Sequence, residues 1–73
     1  MDMIEVTKIN MKYRLKMIDE NYENDIVNDI YMVSSEAITW HERIGTDADT
    51  YTGGEATRRF ERAMRELETL LGN

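Results

Sequence analysis

Among residues that could do chemistry, the single histidine, His41, stands beside the single tryptophan, Trp40. An imidazole there could titrate near neutrality or act as a general base. Base catalysis also needs a nucleophile and an orienting group, and no Ser, Cys or carboxylate stands in a recognisable relation to His41. His41 is therefore read as a packed or surface histidine, and Trp40 as a core residue or an interface anchor. Asp47-x-Asp49 opens like a calcium loop, but counted from Asp47 the pattern fails. Thr52 takes the place of the sharp-turn glycine and Arg58 that of the bidentate glutamate. Gly53-Gly54 ahead of a helix could offer free N–H groups to a phosphate. No P-loop lysine and no preceding strand accompany them, and helix capping explains the glycines without a ligand. Cysteine is absent, which excludes disulfides and thiolate metal sites. No metal or cofactor is expected. A chain with no assembled catalytic set is expected not to be an enzyme.

What remains is charge. Net charge is −6, unevenly spread. Residues 1–18 set Asp2 and Glu5 against Lys8, Lys12, Arg14 and Lys16, for +2; residues 19–51 set nine acids against Arg43 alone, for −8. The remainder balances four acids with four arginines. An acidic middle disfavours wrapping on nucleic acid. It suits a basic surface on a protein partner, and Asp19, Glu20, Tyr22, Glu23, Asp25 and Asp29 are the candidate contact residues. Asn10, Lys12, Tyr13, Arg14 and Lys16 are the candidates for an anionic ligand, through charge and stacking.

Three elements must position these groups. The clearest is the helix from Glu55 to Leu71. Ala56, Phe60, Ala63, Met64, Leu67, Leu70 and Leu71 recur at three- and four-residue steps and line one side. Thr52-Gly-Gly-Glu55 fits a capping box, and Gly72 stands where a C′ glycine turns the chain out. Glu61–Arg65 and Arg62–Glu66 are i,i+4 pairs on the polar side, which reads as a solvated face rather than a phosphate site. A second helix is expected over residues 24–44, capped by Asn24 or Asp25. Ile26, Ile30, Val33, Ala37, Trp40 and Ile44 form its stripe, widened by Val27, Tyr31 and Ile38. Ser34-Ser35 marks a point where it could bend or split, and residues 45–53 read as a loop. The two helices, 24–44 and 54–71, form an antiparallel hairpin.

The N-terminal segment has an ambiguous period. Ile9, Met11, Tyr13, Leu15 and Met17 alternate with Asn10, Lys12, Arg14 and Lys16, a strand signal. On a helix the same residues make two opposite apolar faces, Ile9, Tyr13 and Met17 on one and Met11, Leu15 and Ile18 on the other. No glycine or proline precedes Gly45 to turn a hairpin, and Met, Leu, Lys, Arg and Glu are good helix formers. Helix is the favoured reading. The alternative, a basic alternating strand followed by two helices, resembles the ribbon-helix-helix DNA-binding dimers over residues 9–44. Ser34-Ser35-Glu36-Ala37-Ile38 is similar to the usual opening of their second helix. That resemblance implies that Asn10, Lys12, Arg14 and Lys16 form the face that reads the major groove.

The expected architecture is all-α: one small domain, residues 1–73, with an N-terminal helix packed on the hairpin. A chain this short gains little from its core. Two greasy faces on the first helix point to a homo-oligomer, dimer or higher. The six methionines add an adaptable apolar surface. No apolar run reaches transmembrane length, and MDMIEV lacks the basic-then-apolar order of a signal peptide, so a cytoplasmic chain is expected. Three functions fit. The first is a stoichiometric regulator or inhibitor of a host protein. Short acidic chains of this kind resemble the accessory proteins of phages and mobile elements, inhibitors of host defence among them. The second is an oligomer that sequesters a small anionic ligand such as a signalling nucleotide. The third is the repressor.

Overall fold

The computed structural model describes residues 1–21 and 24–72. These form four helices: α1 (Met3–Glu20), α2 (Asp25–Arg43), α3 (Asp47–Tyr51) and α4 (Glu55–Leu70). Each start has a physical cause. The Asp2 carboxylate accepts from the Glu5 N–H at 2.9 Å, and the Asn24 side-chain oxygen accepts from Ile26 and Val27 at 3.0 and 3.1 Å. Asn21, in the left-handed region at φ 52°, ends α1. Gly72, at φ 83°, turns the chain out of α4 as a C′ glycine does.

α1 is a helix, and no strand occurs among the described residues. The ribbon-helix-helix reading is thereby corrected. A strand would need a partner edge that this chain does not supply, whereas a helix satisfies its own backbone groups. Asn10, Lys12, Arg14 and Lys16, which a strand would place on one face, step around a cylinder instead. The alternation that suggested a strand is two helical stripes. Val6 and Met17 are buried, and Met3, Ile9 and Tyr13 pack on the core. The other stripe is open.

Helix α2 lies in the middle, with α1 and α4 packed against it. It is continuous through Ser34-Ser35, the point where the sequence left room for a bend or split. Asn10 Nδ2 donates to Ser34 Oγ at 3.1 Å and to Ser35 Oγ at 2.7 Å, and Ser34 Oγ donates back to the Tyr31 carbonyl at 3.0 Å. The serines therefore serve the α1–α2 seam. Replacing Asn10 with alanine is expected to cost about 1 kcal/mol in urea denaturation, the net worth of such bonds.

The main core cluster is Val6, Ile30, Val33, Ala37, Ala63 and Leu67, flanked by Phe60, Met64, Leu70 and Leu71. The α4 stripe is inward as expected. Of the stripe expected for the second helix, Ile26 and Ile44 at its two ends are exposed, by 61 and 38%. Neither expected ion pair, Glu61–Arg65 or Arg62–Glu66, forms among the described residues. The pairs present are Glu55–Arg59 at 2.8 Å and Lys16–Glu20 at 4.0 Å.

The stretch expected to be a loop contains α3, and it changes how α4 begins. Thr52 does not cap α4; its hydroxyl donates to the carbonyls of Ala48 and Asp49. Gly54 is the N-cap, with no side chain to offer. The cap comes from Asp49, whose Oδ1 accepts from the Ala56 N–H at 2.8 Å while Oδ2 accepts from the Gly45 N–H at 3.0 Å. One carboxylate thus joins the end of α2 to the start of α4.

Candidate functional site

Helix α1 runs about 27 Å. Its outer stripe is Ile4, Met11, Leu15 and Ile18, exposed by 68, 60, 63 and 59%. Four such residues on one line go beyond the scattered apolar exposure of ordinary surfaces. Met11, Leu15 and Ile18 are the second face expected from the sequence; Ile4 extends it by two turns.

At the C-terminal end of α1 the surface turns acidic. Asp19, Glu20, Asn21, Asn24, Asp25 and Ile26 line one open depression of about 590 Å³. Asp29 is exposed one turn further along α2. Tyr22 and Glu23 lie outside the described residues. Glu20 has Lys16 at 4.0 Å; Asp19, Asp25 and Asp29 form no ion pair among the described residues. Asp25 suits the positive end of α2. Asp19 and Glu20 do not suit their place: they sit in the last turn of α1, which carries no basic residue. Negative charge at the negative end of a helix dipole costs roughly 0.3–1 kcal/mol per group at low salt.

The anionic-ligand candidates are not gathered. Asn10 is spent on Ser34 and Ser35. Tyr13 is half-buried against the core. Lys12 lies over its ring, 5.7 Å from the centroid. Arg14 borders a hollow with Met17, Ile18 and Tyr31, and Lys12 and Lys16 are exposed one turn apart.

Trp40 is half-buried, with the guanidinium groups of Arg43 and Arg59 at 4.8 and 5.1 Å from its ring. Arg59 is itself held by Glu55, so this stack ties the end of α2 to the start of α4. The His41 and Phe60 rings pack edge to face with their centroids 5.1 Å apart, a packing contact. A hollow of about 210 Å³ borders Trp40, Arg43, Asp49 and Glu55. The Asp49 carboxylate beside it is committed to backbone N–H groups. The glycine pair is also closed to a phosphate, because Gly53 N–H donates to Thr50 O, Gly54 N–H to Asp49 O and Ala56 N–H to Asp49 Oδ1. Among the described residues no three His, Cys, Asp or Glu side chains could hold a metal ion, and no helix is long and apolar enough to cross a membrane.

Sequence reasoning missed two features: the Asn10 bond to the serine pair and the Asp49 cap. A signal existed for the second. Glycine at the N-cap leaves the first N–H groups of α4 seeking an acceptor, and Asp49 is the nearest preceding acid. Comparison with protein-family models, with curated proteins and with solved structures finds no match.

Proposed function

We propose that this chain is a non-enzymatic binding protein, a stoichiometric regulator or inhibitor that docks the acidic patch at the end of α1 and the start of α2 on the basic surface of a protein. The observation that carries this reading is the placement of Asp19 and Glu20. Both are exposed, and both stand where the dipole of α1 disfavours them. Lys16 offsets Glu20 in part, but Asp19 forms no ion pair among the described residues, and a local rule broken without local compensation points to a use elsewhere. Ile26, exposed in the same depression, supplies an apolar centre with the acids as its rim, the usual anatomy of a protein interface. Docking would inhibit by covering the partner's basic surface, with association speeded by charge and slowed by salt. The resemblance to accessory proteins of phages and mobile elements would make that partner a host protein, a component of defence among the candidates.

The test uses two readouts with opposite signs. Asp19→Lys with Glu20→Lys is expected to raise the melting temperature slightly, because lysines suit the end of α1. The same variant is expected to lose at least tenfold in capture of the protein that the wild type retains from cell extract. Capture should survive nuclease and fall with added salt. Capture unchanged by the charge reversal, or abolished by nuclease, would sink the reading.

A further inference from the structure

We infer that the outer face of α1 pairs with the same face of a second copy, antiparallel. The spacing of the exposed residues carries the argument. Ile4, Lys8, Met11, Leu15 and Ile18 follow at steps of 4, 3, 4 and 3, which is the seam of a left-handed helix pair. The inward residues Val6, Ile9, Tyr13 and Met17 occupy the opposite side and are already held by the core. The seam is thus straight, continuous and available, over about 21 Å from Ile4 to Ile18.

Charge selects the occupant and its direction. Lys8 is the one polar residue in the seam. In a parallel, in-register pair two Lys8 ammonium groups would face each other across it, an arrangement that like charges oppose. In an antiparallel pair Lys8 faces Met11 of the second copy, a flexible apolar chain along which the lysine stem can lie with its ammonium in water. Ile4 then faces Leu15, twice by symmetry. The flanking residues agree, since Glu5 comes opposite Lys12 of the second copy and Lys12 opposite its Glu5. Parallel pairing would bring Arg14 near Asp19, an attraction of the same kind, so the flanking charges fit both directions and the Lys8 contact is what decides against the parallel one. The interface is short, at the low end of specific interfaces, so the pair is expected to dissociate in the micromolar range. The dimer goes beyond the binding reading and does not rest on it.

Light scattering with size-exclusion chromatography of the full chain, from about 1 to several hundred micromolar, is expected to show a monomer–dimer equilibrium. Leu15→Glu should weaken it by at least about a hundredfold, because two buried leucines are lost and two charges introduced. Leu15 is 63% exposed in the single chain, so circular dichroism of that variant should match the wild type. Direction is read by oxidation, since the chain has no cysteine of its own. Equimolar Ile4→Cys and Leu15→Cys chains should give mainly the mixed disulfide, while either alone should cross-link poorly. A wild type that stays monomeric throughout this range overturns the proposal, as does dimerisation unchanged in Leu15→Glu. Efficient self-cross-linking of Leu15→Cys alone overturns the antiparallel arrangement. A monomer that still captures a basic protein through its acidic patch would refute the dimer and leave the binding reading standing; dimerisation without capture would do the reverse. A seam that becomes protected only when a foreign protein is added assigns it to that protein and also overturns the dimer.

Discussion

Leu67→Ala is expected to leave the chain substantially unfolded at physiological temperature. Leu67 is fully buried in the main core cluster, at 0% exposure. Removing a buried leucine side chain costs about 2–5 kcal/mol, from lost transfer energy and from the cavity left behind. The rest of this interior cannot absorb the loss. Three of the nine buried apolar side chains are alanines, and α1 contributes only Val6 and Met17 to the fully buried set. Domains are stable by roughly 0.05–0.15 kcal/mol per residue, so a chain of this size has little in reserve. Helicity at 222 nm against temperature should show a transition lowered by on the order of 10 °C or more, or no folded baseline. A transition within about 2 °C of the wild type would mean that Leu67 is not packed between α2 and α4.

Asp49→Asn is expected to be the second most damaging change, and its effect should depend on pH. The Gly45 N–H is the main cause that holds the Asp49 carboxyl below the ordinary value of 3.8. Burial opposes it, while the N–H groups of Ala56 and Thr57 and the charge of Arg58 act in the same direction as Gly45. An amide keeps one acceptor oxygen and turns its NH₂ towards an N–H that needs an acceptor, so one end of the bridge fails. Near neutral pH the variant should melt lower by on the order of 5–10 °C. A carboxyl whose folded pKa is depressed contributes stability above its unfolded pKa and loses it as pH falls through the folded one. The gap between wild type and Asp49→Asn should therefore be constant above about pH 5, begin to narrow as pH falls past about 4, and close only below the depressed folded pKa. Paired thermal melts across that range check it; a gap independent of pH down to acid would show that the charge is not what α4 uses.

How far these features could be read beforehand depends on their range. α4 was legible because its apolar stripe repeats over four turns and its polar face carries balanced charge. α2 was legible to within a residue at each end, since Asn24 caps it and Gly45 follows it. α1 was ambiguous for a specific reason: from Ile9 to Met17 every second residue is apolar, which satisfies a strand and equally populates both sides of a helix. Only the presence of α2's stripe decides, and that is a tertiary fact. α3 has five residues, too few to display a period. The misplaced cap followed from a local rule. Thr52 sits three residues before Glu55, as a capping box requires, yet the left-handed Gly54 ends the approach and Asp49 reaches across α3 instead. The expected Glu61–Arg65 pair does not form among the described residues; both side chains are exposed, where such a pair is worth little whether or not it is made. For the surface, the charge imbalance of residues 19–51 showed in the composition. That its acids oppose the α1 dipole required the helix end to be located.

The hydrogen bonds from Asn10 to Ser34 and Ser35 bear on a problem peculiar to α1. A cylinder greasy on both flanks could roll by half a turn and still bury a comparable set of side chains, with Met11, Leu15 and Ile18 inside. In that rolled state the Asn10 amide would point to water and Ser34, fully enclosed under α1, would lose its donor. Asn10 therefore acts as a key that admits one rotational setting. Its loss should cost less in free energy than in singularity, and a leucine at this position should give a chain whose amide resonances along α1 double or broaden.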